Sequence, residues 1–377
     1  MRKISIVLIF LFLNIYLSGI SNENIEGKIP FIKKDHYILV NAKINDSIKD
    51  FTFLVDTGGA TFIDKSVVQE LNLKHQGPQA KITTLNLSGY QIENIFCFTT
   101  FNFDIFKGAS TPIQGIIGSN LMERFNVTFD FQKCYLIFST APTSLAPSEN
   151  SLYFTFRNHP VNNAPLIKFK VNQEIMEGMI DTGQPFPVVL PFKDFEQFKS
   201  SSNAGYIRSK GLMIKWPQTK PLCNYLTRIK SLELGSLKIN NSICIFGEIP
   251  RMLSMPLIGT DLLFQFKMII NYPKDEMLLI PNPDIHFEDN LFSLGINLDV
   301  SEKDEIYVEG IWENSPADKA NVQVGDQIIT YNSIKATPEN LMELITIMKD
   351  DNIESILFEI RNEKGIRQIK LNKALLF

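Results

Sequence analysis

The sequence predicts a mainly β protein: two duplicated β lobes followed by a smaller α/β unit. Three observations carry that prediction. Phenylalanine is in excess, with 29 Phe against 10 Tyr and 2 Trp, and aromatic and β-branched residues favour half-buried pleated surfaces. A pair of short motifs recurs, in the same order, in two successive stretches of the chain. After Pro283 the pattern changes, and short strands begin to mix with helices. A length of 377 residues suits two to three domains. Hydrophobic residues make up 44% and charged residues 21%. That composition excludes disorder, collagen and coiled coil. The net charge of -4, from 37 basic and 41 acidic residues, leaves no electrostatic footprint for nucleic acid.

The chain opens Met1-Arg2-Lys3 and continues with an apolar run from Ile4 to Leu13. A basic start and a short apolar core describe a secretory signal peptide, residues 1–21, with Gly19 and Ser21 as the small residues before the cut. The run is shorter than the roughly 20 residues of a membrane span, so an uncleaved anchor helix is the lesser reading. Ile20 stands where a lipoprotein needs its acylated Cys. The expectation is export, to a bacterial periplasm or the cell exterior, with no transmembrane anchor after signal removal. Export permits disulfides. Cys97, Cys134, Cys223 and Cys244 allow three pairings, and none forms a Cys-x-x-Cys motif. Pairing within each half (97 with 134, 223 with 244) and buried free thiols both remain open.

The first lobe spans 28–142. An alternating strand, Tyr37 to Ile44, precedes the apolar strand Phe51 to Val55, which runs into Asp56-Thr57-Gly58. The second lobe spans 150–283. There Leu166 to Val171 precedes Met176 to Ile180, which runs into Asp181-Thr182-Gly183. Downstream, Ile116-Ile117-Gly118 is matched by Leu257-Ile258-Gly259. Each is followed by a strand, a turn and another apolar strand. The Asp-Thr-Gly motifs lie 125 positions apart and the Gly118 and Gly259 elements 141 apart. A linker rich in Ser, Pro, Thr and Ala separates the lobes at 140–151.

Two Asp-Thr-Gly loops on matched strands make a specific signal, where one alone is usually a turn or helix cap. Two carboxylates held together cannot both ionise in a poorly solvated site. The ionised member can take a proton from water, and the protonated member can donate to a carbonyl oxygen. That division supports general acid–base amide hydrolysis without a metal or other cofactor. Gly58 and Gly183 lack a Cβ and let the loops approach. Thr57 and Thr182 offer hydroxyls to the opposite loop. Gly118 and Gly259 suit a place where strands pass close together.

On these motifs, residues 30–283 resemble the pepsin-like and retroviral-type aspartic peptidases. The resemblance implies bilobal acid-protease β-barrels, with Asp56 and Asp181 catalytic at their junction and Thr57 and Thr182 supporting them. It implies a peptide or protein substrate. It also implies a monomer, since both lobes are in one chain. Pepsin-like members usually carry Ser or Thr after Asp-Thr-Gly, where this chain has Gly59 and Gln184. Losing that donor predicts a pH optimum less acidic than pepsin's. The family covers its cleft with a hairpin flap. The hairpin around Ser88 and Gly89, with Tyr90 facing substrate, is the candidate, and a plain surface hairpin is the alternative. The Phe excess is assigned to barrel cores, at Phe51, Phe53, Phe125, Phe129, Phe131, Phe264 and Phe266.

The C-terminal unit, 287–373, begins with Ser293-Leu294-Gly295-Ile296. Glu305 to Ile311 alternates as a strand. Ser315-Pro316 starts a helix, and Leu341, Leu344, Ile345 and Met348 recur at helical spacing. The pattern resembles a bacterial-type PDZ domain. The resemblance implies that Leu294, Gly295 and Ile296 form a loop whose N–H groups hold a peptide C-terminus, beside a helix at 338–349. Such a groove would recruit a substrate or partner and raise its local concentration, linker geometry permitting. The competing class is a non-catalytic peptide-binding scaffold. A serine peptidase lacks its Gly-x-Ser-x-Gly elbow. The histidines at 36, 75, 159 and 286 have no metal-site spacing, and each reads as an ordinary residue.

Overall fold

The computed structural model describes residues 26–34, 36–106, 111–141, 144–202, 205–214, 223–249, 254–287 and 291–376. The expected signal peptide, 1–21, lies outside them. The chain is mainly β and bilobal, with a C-terminal unit of strands and short helices.

Each Asp-Thr-Gly strand is built the same way. In the first lobe Phe51–Asp56 pairs antiparallel with Tyr37–Ile44 and parallel with Gly115–Gly118, which sets Asp56 opposite Gly118. In the second, Glu174–Ile180 pairs antiparallel with Pro165–Val171 and parallel with Leu257–Ile258. Strands buried on both faces read as continuous apolar runs, and Phe51 to Val55 is buried throughout. The matched sequence elements therefore become matched neighbours.

A six-stranded sheet joins the lobes. Its order is Glu26–Pro30, Tyr135–Ser139, Asn126–Asp130, Phe266–Asn271, Glu276–Pro281 and Leu152–Thr155. The first three strands come from the first half and the last three from the second. At the centre, Thr128 faces Ile269 in an antiparallel pair. Phe129, Phe138, Phe266, Met268 and Met277 are fully buried there, and one apolar core runs through both halves. Burying a side chain of this kind stabilises by about 1.5–3 kcal/mol, so the two lobes hold each other in place.

The C-terminal unit is not held by a linker alone. Strand Tyr206–Gly211 pairs with Tyr225–Leu234 through its first half. Its second half pairs with Ile306–Trp312, matching Ser209 to Trp312 and Gly211 to Gly310. One sheet thus continues from the second lobe into the C-terminal unit. Lys210 forms an ion pair with Asp318 across this junction. Trp312, 3% exposed, packs among Leu166, Met179, Ile214 and Ile243 of the second lobe.

Within the unit, Ser315 caps the helix Pro316–Lys319 by accepting from the Asp318 N–H. Thr337 and Asn340 form a capping box ahead of the helix Leu341–Lys349. The hairpin Ser355–Asn362 with Gly365–Asn372 closes the sheet. Leu341 and Leu344 enter the core, while Ile345 and Met348 are half-buried at its edge.

Of the two cysteine readings left open, the structure has the free thiols: all four cysteines are free, with Cys97, Cys223 and Cys244 buried and Cys134 half-buried. Cys97 donates to the Ala80 carbonyl under the first lobe's sheet, and Cys134 sits in a turn of the joining sheet. Burial pushes the Cys97 thiol up to about 12.

Candidate active site

The two Asp-Thr-Gly loops meet at the lobe junction. Their threonines lock reciprocally. The Thr57 N–H donates to Thr182 Oγ1 at 3.0 Å, and the Thr182 N–H donates to Thr57 Oγ1 at 3.1 Å. Each hydroxyl then donates across the junction, Thr57 to the Ile180 carbonyl at 2.7 Å and Thr182 to the Val55 carbonyl at 2.8 Å. Both threonines are fully buried, so each hydroxyl fills its donor and acceptor roles inside the protein.

This lock presses the loops together. A Cβ on Gly58 would collide with the Asp181 carboxyl, and one on Gly183 with that of Asp56. Gly118 and Gly259 lie equally close to backbone, of Ala60 and of Phe186 and Gln184. A side-chain hydrogen bond joins Asp56 and Asp181. The Gly58 N–H donates to Asp56 at 2.8 Å, and the Gly183 N–H to Asp181 at 2.9 Å. Burial raises both carboxyls above the ordinary range. Asp181 is raised well above it, by burial first and then by the charge and hydrogen bond of Asp56. Asp56 is raised less, because Asp181 and the N–H groups of Gly58, Gly59 and Gly183 favour its charged form. Two carboxyls this close, both raised by burial, hold a single proton between them.

The residues after each motif reach the carboxylates through their backbone N–H groups but offer them no side-chain donor. Gly59 has no side chain. Gln184 is buried, and its Oε1 accepts from the Phe186 N–H at 3.2 Å. Equivalent bonds hold the two loops from behind, Ser119 N–H to the Gly59 carbonyl at 2.9 Å and Thr260 N–H to that of Gln184 at 2.8 Å.

Ser88, Gly89 and Tyr90 are not part of the site, which corrects the flap assignment. The hairpin forms, from Gln79–Leu87 and Tyr90–Phe98, but Ser88 and Gly89 at its turn are exposed and line no part of the cavity, while Tyr90 packs toward the joining sheet. Tyr90 is 9% exposed, stacks on Phe138 and meets Phe125 edge-on. In its place the stretch 98–106 borders the cavity, with Phe98, Phe101 and Phe106 among the lining residues. Phe101 contacts Phe62, Phe103 and Phe106. Part of the Phe excess thus lines the cleft. Phe264, assigned to a core, also borders it.

Further residues bear on the dyad that sequence reasoning missed. Asn162, buried, donates to the Gly58 carbonyl at 2.6 Å. Ser119 Oγ donates to the Thr57 carbonyl at 2.6 Å and meets the Tyr272 hydroxyl at 3.0 Å. The repeat held a signal for Ser119, because Thr260 stands 141 positions on and serves the other loop. Nothing in the sequence marks Asn162. His36, read as an ordinary residue, joins Asp261 of the other lobe at 2.7 Å.

The cavity around the dyad measures about 1670 Å3 and extends to the C-terminal unit. Of the residues expected to bind a peptide terminus there, Ile296 lines the cavity. Leu294 points into the unit's core. Gly295 forms the turn at φ +80°, where Ser315 lies against it. Its N–H is taken by Ser293 Oγ at 2.9 Å.

A family model described as PDZ domain matches residues 284–353, so this part of the chain carries a PDZ domain. No curated protein matches the chain. Among solved structures the chain is similar to basic 7S globulin from soybean, at 11% identity and a TM-score of 0.39. The match covers 68% of this chain and 95% of that one. Among the described residues, no helix is long and apolar enough to cross a membrane.

Proposed function

We propose that the chain is an exported aspartic endopeptidase in which Asp56 and Asp181 activate water. The observation that carries this reading is the reciprocal Thr57–Thr182 lock, which brings two carboxyls, Asp181 buried and Asp56 half-buried, within hydrogen-bonding reach in a large cavity. Asp56 takes a proton from water as the oxygen attacks the peptide carbonyl carbon. Asp181 gives its proton to the carbonyl oxygen, forming a tetrahedral diol. Asp56 then returns its proton to the leaving nitrogen as the C–N bond breaks, and Asp181 recovers one from the diol. The pair ends with the single proton it began with, and the chemistry is general acid–base throughout. The basic and apolar leader supports export.

The PDZ domain supports peptide or protein binding, and on its own it also suits a non-catalytic scaffold. Gln184 favours that second reading, because its side chain braces its own loop and leaves Asp181 without a side-chain donor there. Cleavage of unfolded casein by the wild type, Asp56→Asn and Asp181→Asn separates the two. Loss in both variants supports the dyad, and equal cleavage by all three proteins overturns it. The pepsin dyad is strongly acidic, its two carboxyls pushed apart by their like charge. With no side-chain donor at 59 or 184 the optimum here lies higher, and a rate profile peaking at about pH 2, in the strongly acidic range of such a dyad, would sink that part of the proposal.

A further inference from the structure

The cavity that holds the dyad does not end at the two lobes. Its far wall is the PDZ domain, through Ile296 and Leu298 of the strand Ile296–Val300 and Leu341, Ile345 and Met348 of the facing helix. At about 1670 Å3 it exceeds the roughly 300–1,000 Å3 of an ordinary small-molecule pocket. Both ends are lined in part by apolar side chains, and Met213, Ile214 and Trp312 border the cavity between them.

Resting on the peptidase reading, we infer that one substrate chain occupies both ends at once. Its C-terminal segment lies in the PDZ groove, and a peptide bond upstream in the same chain reaches Asp56 and Asp181. The substrate class is therefore polypeptides cut a set number of residues before their own C-terminus.

Two features favour this occupant. The first is rigidity. The PDZ domain is joined to the second lobe by paired strands, and Trp312 ties the two recognition parts together. Its side chain packs in the second lobe's core, while its N–H donates to the Gly295 carbonyl at 2.9 Å. One residue thus sets both the docking of the domain and the position of the turn at the groove's end. The second is the chemistry of that turn. The Gly295 N–H now rests on the Ser293 hydroxyl. A carboxylate forms the stronger, charge-assisted bond to that N–H. The displaced hydroxyl, both donor and acceptor, rotates to donate to the same carboxylate. The Leu294 carbonyl, held by the Ala317 N–H at 3.1 Å, keeps the turn in place during the exchange.

A fixed spacing makes the groove a ruler. An extended chain advances about 3.3 Å per residue, so lengthening the tail by two residues carries the cut two residues along the sequence. The test uses the full chain and randomised sixteen-residue peptides, supplied as free acids, as amides, and as free acids lengthened by two residues. Cleavage positions are read by mass spectrometry. The expected result is at least tenfold higher kcat/KM for the free acids than for the amides, with cuts at a constant distance from the free end. Ile345→Glu and Met348→Glu, each checked for wild-type melting, should bring the free acids down to the amide rate. Fluorescence anisotropy with Asp56→Asn should show the same preference for free acids without turnover. Equal cutting of acids and amides, at positions unrelated to the end, overturns the inference and leaves the peptidase reading standing. Absence of any cleavage by the wild type overturns the reading, and the inference with it.

Discussion

The two Asp-Thr-Gly loops carry the same three residues on the same strand arrangement, yet the groups around their carboxyls differ. Asp56 draws on N–H groups from its own loop and on Gly183 across the junction. Asp181 meets the charge of Asp56 and is raised well above the ordinary range. The supports behind them differ too. The first loop is held by Ser119, the counterpart of Thr260, and in addition by Asn162 and Tyr272. The second is held by Thr260 and by the internal bond of Gln184. A duplicated motif thus fixes the geometry, while the surroundings of its two copies differ.

The largest break in that comparison is at the carboxyls. Asp56→Asn and Asp181→Asn should each lower kcat on casein by at least about 10³-fold, toward the upper end of what one general acid or base supplies. A variant that keeps a tenth of the wild-type rate would remove its residue from the dyad. Next come the threonines. Thr57→Val and Thr182→Val each strand one backbone N–H and one carbonyl in the buried junction. Each should cost about 2–4 kcal/mol, and the two costs should agree within about 1 kcal/mol if the lock is symmetric. Urea unfolding measures both.

The raised Asp181 carboxyl has a signature in stability. Asp181 has a folded pKa above its unfolded one. Its protonated form therefore contributes stability that is complete below the unfolded value and is lost as pH rises through the folded value. Asparagine does not titrate. The melting temperature of Asp181→Asn should accordingly rise relative to wild type as pH increases toward neutrality, and the gap should close in acid. A gap that widens on acidification would reverse the assignment. The smallest effect is expected at Tyr272→Phe, which removes one bond to Ser119 while Ser119 keeps its bond to Thr57. About 1 kcal/mol is expected, and a loss as large as that of the threonine variants would mean the first loop depends on the joining sheet.

Much of this was legible because it is local. The apolar runs before Asp56 and Asp181, the glycines that follow, and the Ser315-Pro316 helix start are short patterns with one physical solution each. What was missed depended on direction and on partners far away in sequence. The hairpin around Ser88 and Gly89 was recognised, but its turn chemistry is silent about which surface Tyr90 meets. Tyr90 was free to face substrate until Phe125 and Phe138 came to lie beside it. The cysteine count allowed disulfides and free thiols alike, and only the fold shows all four as thiols.

By itself, the sequence determined the duplicated β architecture, the paired carboxyls and the PDZ module, since each follows from periodicity and from residue chemistry a few positions apart. Only the tertiary structure decided the six-stranded sheet joining the lobes, the placement of 98–106 at the cleft and the docking of Trp312 into the second lobe. Those depend on which apolar faces and unpaired strand edges find each other, a choice made by the whole folded chain through burial and backbone pairing that no single segment encodes.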